Sequence, residues 1–250
     1  MNPLRIGCVK YLNARPLIHG WEGKVVFDHP SILCRQLAAG DLDVALVSSF
    51  EFLRNPIYRI IDGVAIGSDG PVFSVIVAHR GKFSEVTEIA LDPAAQTSGN
   101  LLLCLLGELN RKVRITSSAS SQSARLLIGD QAMRFRQQHG GDFEFWDLGE
   151  HWKKLQGAPF VYALWLVRPE VEDVKPIADR LRALRDQNLA DLEPVISTEK
   201  EFSAELCRRY YRHYLRFSFE EKEKEGLRGF AELCQKHDLL PKREIALDLV

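Results

Sequence analysis

The sequence predicts an α/β protein of two lobes, one inserted into the other. Three observations carry this expectation. Short apolar runs alternate with amphipathic helical segments over roughly the first fifty residues, the order of a parallel sheet and its crossover helices. A self-contained series of strands and helices then lies between two long apolar runs, Val72-Phe73-Ser74-Val75-Ile76-Val77-Ala78 and Phe160-Val161-Tyr162-Ala163-Leu164-Trp165-Leu166-Val167. After Arg168-Pro169 the chain turns helical and charged. The implied division is a discontinuous first lobe over 1–78 and 166–250 and an inserted second lobe over 79–165, with the apolar runs crossing between them as a hinge. At 250 residues the chain can bury a sizeable core.

In chain order, Arg5-Ile6-Gly7-Cys8-Val9 reads as a strand that breaks into Lys10-Tyr11-Leu12-Asn13-Ala14-Arg15-Pro16-Leu17. Asn13 stands at its carboxyl end, where open α/β sheets bind ligands; there it meets a ligand or caps the helix begun near Pro16. Val25-Val26-Phe27 is a second strand. Pro30-Ser31 starts a helix through Ile32, Leu33, Gln36 and Leu37 that stops at Gly40. Asp43-Val44-Ala45-Leu46-Val47 is a buried-type strand leading into Ser48-Ser49-Phe50-Glu51, where the Ser48/Glu51 spacing predicts a capping box and a helix through Phe52-Leu53-Arg54.

The inserted series comprises strand Glu88-Ile89-Ala90-Leu91-Asp92, a helix from about Ser98, strands Val113-Arg114-Ile115 and Leu126-Leu127-Ile128, and a helix from about Gln131. Toward the C-terminus, Ile177-Ala178-Leu181-Leu184 and Phe202-Leu206-Tyr210-Tyr214 fall at helical spacing, and the charge run 220–224 reads as a solvated face or loop. This is the plan of a hinged binder, in which the junctions at Asn13, Ser48 and Ser74 face those at Thr97 and Asp130.

Composition narrows the function. With 33 Lys and Arg against 34 Asp and Glu, net charge −1, the chain lacks the basic surplus that nucleic-acid binding needs. Cys8, Cys34, Cys104, Cys207 and Cys234 are odd in number and scattered among apolar residues, so buried free thiols and a reducing, cytoplasmic setting are expected. The start has no export-signal pattern and no segment is apolar enough to span a bilayer. Metal-ligand His pairs, Cys-x-x-Cys, a Gly-x-Ser-x-Gly elbow and phosphate-cradling glycine loops are all missing.

What remains is hydrogen-bonding chemistry. Asp92-Pro93-Ala94-Ala95-Gln96-Thr97-Ser98-Gly99-Asn100 joins a strand to a helix, where free N–H groups and hydroxyls suit a carboxylate or phosphate; the plainer reading is an N-cap. Ile128-Gly129-Asp130 is a second strand end where backbone can approach a ligand, with Asp130 as a cap in the plainer reading. Glu150 and Trp152 either help close the cleft or are, respectively, a surface and a core residue. An enzyme built from such a cleft leans on orientation and on stabilising charge by hydrogen bonds.

Taken together, Arg5-Ile6-Gly7 with Tyr11-Leu12-Asn13 and Pro16-Leu17, Gly40-Asp41-Leu42-Asp43-Val44-Ala45-Leu46-Val47 with Glu51-Phe52-Leu53, Gly67-Ser68-Asp69-Gly70-Pro71-Val72 with Ser74-Val75, Leu127-Ile128-Gly129-Asp130, and Asp147-Leu148-Gly149-Glu150 with Trp152, Pro159-Phe160-Val161 and Trp165 resemble the chorismate dehydratases of the futalosine route to menaquinone. The resemblance implies a two-lobe, periplasmic-binding-protein type II-like fold, with two mixed sheets flanked by helices, turned to catalysis in the cytoplasm. It implies a hydro-lyase that forms 3-[(1-carboxyvinyl)oxy]benzoate and water from chorismate with no metal or organic cofactor. By the same resemblance Asn13 and Ser74 are catalytic, and Tyr11, Ser48, Ser49, Thr97, Ser98, Gly129 and Asp130 bind substrate. The partner is then the small molecule chorismate, without nucleic acid or membrane; a homodimer is left open. A dehypoxanthine futalosine cyclase-type enzyme and a non-catalytic small-carboxylate binding protein are the competing readings. One departure stands out: where the family usually reads Asp-x-Ser-Ser-Arg-Thr-Ser, this chain has Asp92-Pro93-Ala94-Ala95-Gln96-Thr97-Ser98, losing two hydroxyls and a cation.

Overall fold

Two five-stranded sheets divide the chain. The structure, a computed structural model, describes residues 4–91, 95–117 and 124–250. Strands β1 (Ile6–Cys8), β2 (Val25–Phe27), β3 (Val44–Ser48) and β4 (Arg59–Ser68) come first. Strands β5 (Val75–His79), β6 (Glu88–Ala90), β7 (Arg114–Thr116), β8 (Ala124–Ile128) and β9 (Glu144–Asp147) form the second sheet, and β10 (Phe160–Val167) returns to the first.

The strand orders are β2-β1-β3-β10-β4 and β7-β6-β8-β5-β9. Each sheet therefore has three parallel strands followed by one antiparallel strand, β10 in the first and β5 in the second. In β3 the residues Val44, Ala45, Leu46 and Val47 are all buried, as a strand covered on both faces requires. The main core runs without a break from the first sheet into the second, and a satellite cluster of Ile76, Ala78, Leu127 and Ala132 sits under Phe135, Phe143 and Phe145.

The lobe boundaries differ from the expected 78/79 and 165/166. Strand β5 pairs entirely within the second sheet, with Ile76 opposite Leu127, and β10 entirely within the first, with Leu164 opposite Val47. Each long apolar run is an inner strand buried on both faces of one sheet, not a rod between lobes. The passages between sheets lie between Ser68 and Val75 and between Asp147 and Phe160.

Local chemistry explains most helices. Pro30–Ala39 has Pro in its first turn and ends at Gly40 in the left-handed region, φ 82°. The capping box expected at Ser48 is not made: the Ser48 side chain caps nothing, and Glu51 pairs with Arg54 at 2.5 Å. A capping contact forms instead in the charge run, where the Glu223 side chain accepts from the Glu220 N–H at 3.0 Å at the start of helix Glu221–Lys236. The expected 202–214 helix is shorter: Ser203 caps Ala204–Arg209, and a π-turn, Tyr210–Tyr214, continues it. All five cysteines are buried and free, as expected. Glu150 is partly exposed beside Lys154 and Trp152 is buried, so these two residues follow their plainer reading.

Candidate functional site

Between the sheets lies a small cavity lined from both lobes. Val9, Leu46, Val75 and Ile128 give it apolar walls, and the polar groups come from four junctions. Asn13 sits in the 3₁₀ turn Leu12–Ala14 just beyond β1. Ser48 ends β3, Ser74 immediately precedes β5, and Gln96, Thr97 and Ser98 open the helix Gln96–Glu108.

None of these side chains does the capping that the plainer reading assigned to it. The helix Arg15–Ile18 has Ala14 at its N-cap, and the Asn13 Oδ1 is buried without a partner. A buried amide oxygen in that condition is costly unless something donates to it. Ala95, which cannot cap with its side chain, precedes Gln96–Glu108, so among the described residues no side chain caps that helix and its first-turn N–H groups can face an anion. The Thr97 hydroxyl crosses the cleft instead, accepting from the Phe50 N–H at 3.2 Å and lying 2.5 Å from the Ser48 hydroxyl. Gln96 lines the cavity with a buried, unpartnered Oε1; Asp92, Pro93 and Ala94 fall outside the described residues.

Tyr11 and Gly129 meet across the same cleft. Gly129 holds φ +56°, and a Cβ there would lie 3.3 Å from the Tyr11 ring, so backbone freedom and close approach both call for glycine. Two candidates lie off the cavity wall. Ser49 is fully buried and donates to the Val161 carbonyl at 2.7 Å, while Asp130 accepts from the Leu12 N–H at 2.8 Å and so ties the second lobe to the Asn13 turn. Burial pushes the Asp130 carboxyl above its usual range, against the pull of that N–H and of Arg15.

Ser74 owes its position to residues that the sequence reading did not assign to the site. Phe73 before it adopts φ 69°, a strained state for an aromatic residue. The buried Asp147 carboxylate holds that turn, accepting from the N–H groups of Phe73 at 2.8 Å, Val72 at 3.1 Å and Glu150 at 3.1 Å. From the first lobe, Tyr214 stacks on the Phe73 ring at 5.0 Å and the Tyr210 hydroxyl donates to Ser74 Oγ at 2.6 Å. Tyr162 also lines the cavity, its phenol held well above its ordinary pKa by burial. Only the Phe202-Leu206-Tyr210-Tyr214 stripe hinted at the two C-terminal tyrosines, and a stripe at helical spacing reads as core.

Among the described residues the cavity wall carries no Asp, Glu, His, Lys or Arg side chain, and no cluster of His, Cys, Asp or Glu anywhere could hold a metal ion. The site can orient a ligand, donate and accept hydrogen bonds, and face an anion with a helix start.

Sheet order and cleft together define a two-lobe α/β protein with the periplasmic-binding-protein fold. Its chain belongs to the menaquinone biosynthesis family, whose model matches residues 4–236. It is 29% identical to the chorismate dehydratase of Thermus thermophilus, covering 93% of this chain and 95% of that protein. Among solved structures, a protein from Archaeoglobus fulgidus superposes with a TM-score of 0.74 at 17% identity, over 95% of this chain and 98% of that one. The periplasmic aliphatic sulphonate binding protein of Escherichia coli follows at 0.66 and 16%, over 98% and 94%. At those identities the structural likeness establishes the fold alone.

Proposed function

We propose that this protein is a chorismate dehydratase, a hydro-lyase that converts chorismate to 3-[(1-carboxyvinyl)oxy]benzoate and water. The observation that carries it is the meeting of Asn13, Ser48, Ser74, Thr97 and Ser98 on one cavity, in a chain aligned almost end to end with a relative of that name.

The chemistry suits the groups present. Chorismate loses the ring proton beside its enolpyruvyl ether and then the neighbouring hydroxyl, and the ring becomes aromatic. The ring carboxylate is conjugated to the carbon that loses the proton, so negative charge moves onto it. Donors that hold this carboxylate therefore act more strongly in the transition state than in the ground state. Thr97, Ser98 and the first-turn N–H groups of the Gln96–Glu108 start are assigned that role, and Ser48 and Tyr11 bind elsewhere on the substrate. Asn13 and Ser74 flank the reacting ring face, where the unpartnered Asn13 oxygen can accept from the ring hydroxyl's O–H and orient it in the bound substrate. With no Asp, Glu, His, Lys or Arg side chain on the described wall, the ring proton goes to the substrate's own enolpyruvyl carboxylate, which passes it to the leaving hydroxyl, so that water departs and the carboxylate is restored.

The same bare wall favours a second reading, a binding protein that holds a small carboxylate without turning it over. Incubating purified protein with chorismate in the presence of a chelator separates the two. Appearance of the aromatic product is expected; chorismate bound and recovered unchanged supports the binding reading, and no binding at all contradicts both.

A further inference from the structure

We infer that Tyr210 is the positioning residue for Ser74, fixing that serine's own proton toward the substrate; the inference rests on the dehydratase reading above. The Tyr210 hydroxyl donates to Ser74 Oγ at 2.6 Å, and the two residues are 0% and 1% exposed. A serine hydroxyl has one proton to give and two lone pairs to receive with. Once Tyr210 occupies a lone pair, the proton is free to point elsewhere. Among the described residues Ser74 Oγ meets no second partner, and the cavity it lines is what remains in front of it.

The donor is itself fixed. Tyr210 opens the π-turn Tyr210–Tyr214, and such turns recur at functional sites. Tyr211 anchors the turn by donating to the Leu12 carbonyl at 2.9 Å, and Arg216 and Gly67 exchange backbone hydrogen bonds at 2.8 Å just beyond it. On the other side, Tyr214 stacks on Phe73, whose strained backbone Asp147 holds. One turn of the first lobe thus grips both Phe73 and Ser74, where the chain passes into the second. Burial raises the Tyr210 phenol above its ordinary range, so it keeps its proton and stays a donor. A hydroxyl that accepts one hydrogen bond donates the next more strongly, and here it does so toward charge that appears as the ring proton leaves.

A Ser74–Tyr210 double-mutant cycle tests this. In active wild-type protein, Tyr210→Phe is expected to lower kcat about tenfold while KM changes less than about twofold, since the lost interaction strengthens only in the transition state. In a Ser74→Ala background the same change should cost nothing further, because Tyr210 acts only through Ser74. Fluorotyrosine at position 210, a stronger donor of nearly the same shape, keeps the test alive if the Phe variant folds poorly; it should shift kcat and leave KM in place. Full kcat in Tyr210→Phe, an equal loss in both backgrounds, or a fluorotyrosine protein with unaltered kcat overturns the inference alone. A wild type inert toward chorismate overturns the reading beneath it as well.

Discussion

Asn13 and Ser74 differ from Thr97 in what they touch, and that difference is measurable. The first two are assigned to the reacting ring face and the third to a carboxylate present in bound substrate throughout. Asn13→Ala and Ser74→Ala are expected to lower kcat by about 10²-fold or more with little change in KM, the usual cost of one oriented donor or acceptor. Thr97→Val is expected to weaken binding and slow turnover together. If these side chains were merely structural, kinetics would stay near normal and only about 1 kcal/mol of stability would be lost, so melting temperatures belong beside the rates. The positions of Asn13 and Thr97 were legible because strand ends and helix starts announce themselves. That Ser49 and Asp130 turn away was not: whether a hydroxyl beside Ser48 bonds to a ligand or to the Val161 carbonyl depends on a strand 112 residues distant.

At the scale of elements, the junctions close the cleft with hydrogen bonds between lobes, and one of them carries a pH signature. The Asp130 carboxylate at the start of helix Gly129–His139 is held above its ordinary pKa by burial while accepting from the Leu12 N–H. The folded state therefore binds this proton more tightly than the unfolded chain. Its stabilising effect is complete below the unfolded pKa and is lost as pH rises through the folded one. Asp130→Asn keeps an oxygen for Leu12 and cannot ionise. Melting curves against pH should find it closest to wild type in acid and more stable at neutral pH, by roughly 2–4 °C for each kcal/mol recovered. A gap that narrows as pH rises contradicts the assignment. Element order, strand placement and the Gly40 stop were readable because periodicity and turn residues are local signals. The sheet to which β5 and β10 belong was not, since an apolar run records burial on both faces and says nothing of which partners bury it.

For the whole molecule, the two lobes meet across the cleft, with Ser48 against Thr97, Leu12 against Asp130 and Ser74 against Tyr210. Small-angle scattering should show the free protein contracting when chorismate or product saturates it, as hinged binders do, and an unchanged curve counts against a working hinge. A cavity without an Asp, Glu, His, Lys or Arg side chain on its described wall leaves one question above the others, the origin of the base. The direct measurement compares turnover of chorismate with that of an analogue esterified only at the enolpyruvyl carboxylate. If the substrate supplies its own base, chorismate is dehydrated and the ester is bound without appreciable product. An ester converted as fast as chorismate would contradict the account.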